Sequence, residues 1–397
     1  MTNKYLNRCA VCSSENLIEI IDLPLLPLTG LYFPNKKLAK DSSLHDQGLN
    51  QCQDCGHAQL RNAIDPKEVY NQTYTHRSSG SSISRNGNDY LYRYINNNYK
   101  INKKTKLLEL GCNDGYLLEK LSENALSSCG IDPIWLDRDP PIYEKFKIFG
   151  GFANEISKVL NPVFKPNLVV SAHTFEHTVS IFEELKCAVD YADDNADFII
   201  EMPSFDTLIR LRRFDQVFHQ HIQYISEASI SKLVERLNCE LIDIHYNFNY
   251  WGGTVIFAFR KSLPKISQKI SPKTINKSLI NESLKDFNNF KNILEKQISF
   301  HKVIYYLGAA QMLPILHYHI GKHIPKVSGI LDDNESRIGK FLPSLEEIET
   351  LSFDDLGEQD LYSAGFVIGA VDSSRAIIKR TKDLGMANIY SFYQNII

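Results

Sequence analysis

Leu107, Leu108 and Leu110 form an apolar run that stops at Gly111, and Tyr116, Leu117, Leu118 and Leu121 then recur at helical spacing. That pattern predicts a buried strand turning through glycines into a helix. Residues 128–132, 167–172 and 197–203 are further apolar runs of strand length, and carboxylates stand at the far ends of the first and third, Asp132 and Glu201. Residues 255–259, after the Trp251-Gly252-Gly253 turn, are predicted to close this sheet. Ile275, Leu279, Ile280, Leu284, Phe287, Phe290, Leu294 and Ile298 follow at helical spacing among lysines and asparagines, which predicts one long amphipathic helix. Beyond it, residues 303–307, the turn Gly308-Ala309-Ala310, residues 327–331 ending in Asp332-Asp333, and residues 366–371 predict a second α/β sheet. Near the N-terminus, residues 23–30 read as a proline-broken apolar loop that packs against a neighbour.

At 397 residues the chain has room for two or three domains, and 43% hydrophobic content with a net charge of −3 describes an ordinary soluble protein. The charge offers nothing to nucleic acid, no apolar run reaches membrane-spanning length, and residues 1–7 lack the apolar centre of a signal peptide. The expectation is a cytoplasmic protein without nucleic-acid or membrane partners. Of the eight cysteines, four are scattered among apolar residues and are expected as free thiols. The other four form two C-x2-C knuckles, Cys9/Cys12 and Cys52/Cys55, which together complete a tetrahedral four-sulfur zinc site. A closed shell leaves no position for substrate, so this zinc is expected to be structural.

The turn after the first strand, Glu109-Leu110-Gly111-Cys112-Asn113-Asp114-Gly115, has the character of a nucleotide cradle. Its glycines admit close backbone approach, and Asp132 lies roughly 20 residues on, where an α/β nucleotide fold carries the acid for ribose hydroxyls. A dinucleotide fingerprint needs a second glycine to admit pyrophosphate, and Asn113 occupies that position. S-adenosylmethionine therefore fits the pattern better than NAD. The cofactor set is Glu109, Gly111, Asn113, Asp114, Gly115, Asp132 and His173.

Just past the third strand come His173-Thr174-Phe175-Glu176-His177, at the sheet edge where such folds bind ligands. The densest polar cluster lies further on, Arg210, Arg212, Arg213 and Asp215, then Phe218-His219-Gln220-His221-Ile222-Gln223-Tyr224. A serine-rich segment, Tyr74-Thr75-His76-Arg77-Ser78-Ser79, is either a solvated linker or a lid. The candidate catalytic residues are His221, His177, His219, Gln220, Tyr224, His76 and Tyr74.

The paired knuckles, the N-D-G-Y-L-L turn of residues 113–118, F-E-H at 175–177, H-x-H at 219–221 and the glycine turn opening the last sheet together resemble the S-adenosylmethionine-dependent C-methyltransferases acting on nucleotide-linked 4-keto deoxyhexoses. The resemblance implies a zinc-binding domain (1–70), a central Rossmann-like class I methyltransferase domain with an N-terminal lid (71–262) and a C-terminal Rossmann-like α/β domain (263–397). It further implies a nucleotide-diphosphate sugar substrate, with His221 as base and His177 placing the sugar or its keto oxygen. The chain departs from that family at Phe218, Gln220 and His76, where it has tyrosine, glutamate and tyrosine, and at Gln311, where lysine is common. These changes cluster on the acceptor side, so the expectation is conserved methyl transfer with a different acceptor. O- or N-methylation of a nucleotide sugar, a non-methylating sugar-nucleotide enzyme and a binding module are the competing readings. The protein is expected as a monomer or homodimer, with the long helix left uncovered for either use.

Overall fold

The computed structural model describes residues 4–64, 77–249, 253–262 and 275–393. Tyr74, His76, Trp251 and Gly252 lie outside them. At the N-terminus, β1 (Lys4–Tyr5), β2 (Leu17–Pro27), β3 (Leu44–Cys52), β4 (Ala58–Leu60) and β5 (Asn62–Ala63) are all antiparallel where they pair. The proline-broken stretch expected as a loop is therefore the second half of β2. It tolerates Pro24 and Pro27 because β2 is an edge strand and its register shifts between Leu23 and Leu26, with Leu25 at a positive φ of 54°. Leu23 and Leu26 are buried, and the Tyr318 hydroxyl donates to the Pro24 carbonyl at 2.9 Å, so the stretch does pack against a neighbour.

The central sheet holds β6 (Lys106–Leu110), β7 (Ser127–Asp132), β8 (Lys147–Gly150), β9 (Leu168–Ala172) and β10 (Asp197–Pro203). After the short β11 (Gln223–Tyr224), which pairs with β4 of the N-terminal sheet, come β12 (Cys239–Asn247) and β13 (Thr254–Lys261). The order is β12-β13-β10-β9-β6-β7-β8, parallel from β8 to β10, with β13 and β12 antiparallel. The parallel strands are covered on both faces, which accounts for their near-continuous apolar runs. Strand β13 lies inside the sheet and β12 forms its edge, correcting the expectation that residues 255–259 close it; β12 is half-exposed and polar enough to escape an apolar-run reading. Because β6 runs on to β7 on one side while β9 lies on the other, the sheet has its topological switch beyond the ends of β6 and β9.

The last sheet, β14 (Ile304–Leu307), β15 (Val327–Leu331), β16 (Thr350–Leu351), β17 (Gly365–Ile368) and β18 (Ile389–Tyr390), is wholly parallel in the order β16-β15-β14-β17-β18. The helix Lys277–Ile298 joins it to the central sheet and is covered, not open as expected. Its Phe287 is buried edge-on against Phe214 and Phe392, at 5.2 Å between ring centres for each. Arg213, 2% exposed, forms a bidentate pair with Asp215 at 2.8 and 2.9 Å and reaches Asp372 at 2.9 Å. The Tyr393 hydroxyl donates to Asp215 at 2.5 Å. This satisfied ion pair ties the central sheet to the last one.

Candidate active site

The four knuckle cysteines converge. Cys9 and Cys12 follow β1, Cys52 ends β3 and Cys55 lies in the turn before β4. Their sulfurs all lie within 4.8 Å of one another, with Cys9–Cys55 at 3.6 Å and Cys12–Cys52 at 3.5 Å. Tetrahedral sulfurs each about 2.3 Å from zinc stand about 3.8 Å apart, so the set fits that ion with little adjustment.

At the end of β6 the chain turns through Gly111, at φ 71°, where a Cβ would sit 1.9 Å from the Thr174 hydroxyl. Asn113 and Gly115 also take positive φ, 49° and 82°, and the helix Tyr116–Ser122 starts there. Asp132 at the tip of β7 accepts from the Asn113 N–H at 2.8 Å and the Ile134 N–H at 2.9 Å, which joins the two strand ends into one concave rim. Glu109 is buried and its Oε2 has no partner among the described residues; Asp114 Oδ1 is likewise unpaired. Burial pushes the Glu109 carboxyl well up, and the charges of Asp132 and Asp114 push the same way. The carboxylates of Asp114 and Asp132, with the buried Glu109 carboxyl beside them, disfavour a pyrophosphate at this glycine turn and favour a cationic ligand. A sulfonium that also carries an ammonium fits, so the residues present suit S-adenosylmethionine.

Two contacts at this rim were not legible in the sequence. The Trp135 indole N–H donates to the Asn113 carbonyl at 2.7 Å, and the Tyr143 hydroxyl to that of Asp114 at 3.1 Å. An aromatic residue three places past the strand-end acid was the available signal. The serine segment also returns to the turn: Ser78 N–H donates to Asn113 Oδ1 at 3.2 Å, and Ser79 donates to Asp114 Oδ2 from its N–H at 3.1 Å and its hydroxyl at 2.5 Å.

Beyond β9, His173 has a positive φ of 52°, and its N–H is held by the Glu201 carbonyl at 2.9 Å. Its ring Nδ1 meets Glu176 Oε1 at 3.0 Å, so this residue pairs with the buried carboxylate next to the acceptor-side histidines. Burial pushes the Glu176 carboxyl up, but the His173 hydrogen bond and the charges of His177, His173 and His221 outweigh it and hold it down at about 2. His177 and His221 stand edge to face, 5.1 Å between ring centres. His177 Nδ1 hydrogen bonds to the Gln220 carbonyl at 2.7 Å; a carbonyl only accepts, so Nδ1 carries a proton. His221 Nδ1 is buried without a partner among the described residues. Burial, with the adjoining His177, pulls His221 down to about 3, so its imidazole is neutral.

The other residues of this motif turn the opposite way. His219 is buried with Nε2 on the Leu26 carbonyl at 3.0 Å and Nδ1 near the Gln47 amide at 3.4 Å. Gln220 accepts from the Thr29 hydroxyl at 3.0 Å and donates to the Thr29 carbonyl at 3.1 Å, a two-way pairing that a glutamate could not complete. The Tyr224 hydroxyl donates to the Gln216 carbonyl at 3.0 Å and accepts from Phe218 N–H at 3.3 Å, and the Phe218 ring packs 4.1 Å from that of His221. His219 and Gln220 thus dock the N-terminal sheet and its following loop, while Phe218 packs on His221. Glu176 was visible in the sequence between two histidines at the strand end, yet was not singled out.

A methyltransferase-domain family model matches residues 84–244, and a model described as "Putative zinc binding domain" matches residues 9–70. A C-methyltransferase, NovU, of Streptomyces niveus is 24% identical over 263 residues, 64% of this chain and 60% of the relative's length. Among solved structures, magnesium protoporphyrin IX methyltransferase of Synechocystis with bound S-adenosylhomocysteine is similar at 13% identity and TM-score 0.36, covering 45% of this chain and 85% of that one. The N-methyltransferase NodS of Bradyrhizobium japonicum is similar at 14% identity and TM-score 0.34, covering 46% and 89%. The chain carries an S-adenosylmethionine-dependent methyltransferase domain built as a class I fold on its mixed central sheet, and a zinc-binding domain before it. Among the described residues no helix is long and apolar enough to cross a membrane.

Proposed function

We propose that this protein methylates a nucleotide-linked keto deoxysugar at the carbon beside its keto group, with His221 as the base. The observation that carries the reading is the cluster of Glu176, His177 and His221 just past the end of β9, beside a glycine turn suited to S-adenosylmethionine. The cofactor supplies an electrophilic methyl group on sulfur. Glu109, Asp114 and Asp132 would hold its cationic and hydroxyl groups, on a turn that Gly111 lets pack against Thr174. A C–H beside a ketone is weakly acidic, so proton removal needs a neutral base and a partner for the developing enolate oxygen.

His221 is neutral, which is the form a base requires. Burial and the adjoining His177 also weaken it, and the Glu176 carboxylate counters them only in part. His177, oriented by its Nδ1–H on the Gln220 carbonyl, would place the sugar or its keto oxygen. His219, Gln220 and Tyr224 act as positioning residues, because their polar atoms are committed to the protein. The similarity to NovU, a C-methyltransferase, supports this choice of atom, and the absence of a phenol at 218 leaves O-methylation as the competing reading.

Two measurements test the proposal. Incubated in deuterium oxide with S-adenosylhomocysteine in place of the methyl donor, a keto-sugar nucleotide acceptor is expected to exchange its α C–H. Methylated product without any exchange would move the reaction to oxygen or nitrogen. Because burial and the adjoining His177 pull His221 down to about 3, kcat/KM is expected to show no acid inflection from it near 6.5; lowering pH through that value leaves the base form intact. An inflection there that vanished in His221→Ala would show a solvent-coupled histidine instead.

A further inference from the structure

We propose that His173 is a positioning residue for the base of the proposed reaction: its ring keeps the Glu176 carboxylate anionic and in place beside His221. The inference deepens the function proposed above and rests on it. His173 directly follows β9 and takes a φ of 52°, a backbone region that residues other than glycine rarely adopt. Two hydrogen bonds hold it there. Its N–H donates to the Glu201 carbonyl at 2.9 Å, and its ring Nδ1 donates to Glu176 Oε1 at 3.0 Å, since an ionised carboxylate only accepts. Chain order groups His173 with the cofactor turn, but the ring bond ties it to the acceptor-side histidines.

Glu176 is fully buried, and an anionic carboxylate inside a protein is costly unless donors or cations meet it. Oε1 has His173, whereas Oε2 is buried without a hydrogen bond among the described residues. A Glu176 oxygen and a ring nitrogen of His221 lie within 4.8 Å of one another, so the charge kept on Glu176 acts on His221. The titratable groups around Glu176 are His173 and His177 of its own turn, His221 and Tyr224 of the segment 218–224, and Glu201 of β10. Burial disfavours a charged His173 ring, yet the Glu176 hydrogen bond and the charges of Glu176 and Glu201 outweigh it and raise its pKa. The pair thus favours the charged form of both partners. When His221 takes the proton from the acceptor carbon, an anion at Glu176 counters part of the cost of the buried imidazolium; a protonated Glu176 counters none.

The test uses the full-length, zinc-loaded protein with carbon-13 in its glutamate carboxyls, and Glu176→Gln assigns the Glu176 signal by its loss. In wild type that signal is expected at its ionised position from about pH 8 down to about 5.5, a range that keeps the thiolates on zinc. His173→Gly suits the positive φ and removes only the ring. Its Glu176 signal should titrate within that range, as burial alone raises the Glu184 carboxyl to about 7. Its kcat should fall about 10- to 100-fold, the worth of one hydrogen bond to a charged group. His173→Asn, whose amide N–H can stand where Nδ1 does, should restore the ionised carboxylate and most of kcat. His173→Leu carries the expectation of the glycine variant should that one not fold; retained zinc and unchanged thermal unfolding report folding. All are expected to bind S-adenosylhomocysteine with wild-type affinity. A Glu176 signal that stays ionised without the ring, or wild-type kcat there, would overturn the proposal. Cofactor affinity lost along with kcat in a folded variant would overturn it in favour of a cofactor-binding His173. If wild type exchanges no α C–H, the base reading fails, while the carboxyl titration still decides whether His173 holds Glu176.

Discussion

His221→Ala is expected to lower kcat by about 10²- to 10⁴-fold, the range for loss of a positioned general base, while S-adenosylhomocysteine binds with unchanged affinity. The two effects separate because the rim of Gly111, Asn113 and Asp132 is built from the ends of β6 and β7, whereas His221 comes from the segment that docks the N-terminal sheet. Truncation also removes a buried ring whose neighbours are Phe218, His177 and Tyr224, so some loss of stability accompanies it. Paired calorimetry and turnover therefore need a folded control, and retained zinc supplies one. Near wild-type turnover would remove His221 from the chemistry; lost turnover together with lost cofactor binding would mean that the variant has collapsed the rim.

The second large effect follows from the zinc. Cys52→Ser, or removal of the metal by a chelator, is expected to unfold the N-terminal sheet, because structural zinc is worth about 10 to 16 kcal/mol in small zinc domains. The consequence should reach the acceptor side. Cys52 ends β3, β3 pairs with β2, and the β2 end and following loop present the Leu26 carbonyl and Thr29 that hold His219 and Gln220. With those partners gone, the segment carrying His221 loses its anchors on one side. Limited proteolysis should cut the first 64 residues early, and turnover should fall, while S-adenosylhomocysteine still binds the glycine turn. Full turnover in a protein shown to lack zinc would break this chain of contacts. A parallel loss of cofactor affinity would show that the central sheet depends on the zinc as well.

The central β strands and the glycine turn were legible because fully buried parallel strands need unbroken apolar runs, and a turn this tight needs glycine; Gly111 has no room for a Cβ beside Thr174. The four cysteines were legible for a related reason, since metal-ligand spacing is local to each knuckle. Polar edges were harder. Strand β12 alternates half-exposed residues, and β2 carries two prolines, so neither has the signature of a strand, although edge position makes both permissible.

For the candidate site, local order named the right stretches but not the use of each side chain. Residues 219, 220 and 221 look equivalent in sequence, yet the fold turns His219 and Gln220 into the N-terminal sheet and leaves His221 beside Glu176 and His177. Those directions depend on Leu26 and Thr29, nearly 200 positions away. Glu176, from the turn after β9, reaches His221 and His177 across space. What the sequence by itself determined was composition, zinc spacing, the cofactor turn and the order of buried strands, because each follows from neighbouring residues along the chain. Only the tertiary structure decided that His219 and Gln220 dock the N-terminal sheet, that Glu176 stands next to His221 and that the long helix is covered, because each of these is a contact between segments that the chain order leaves far apart.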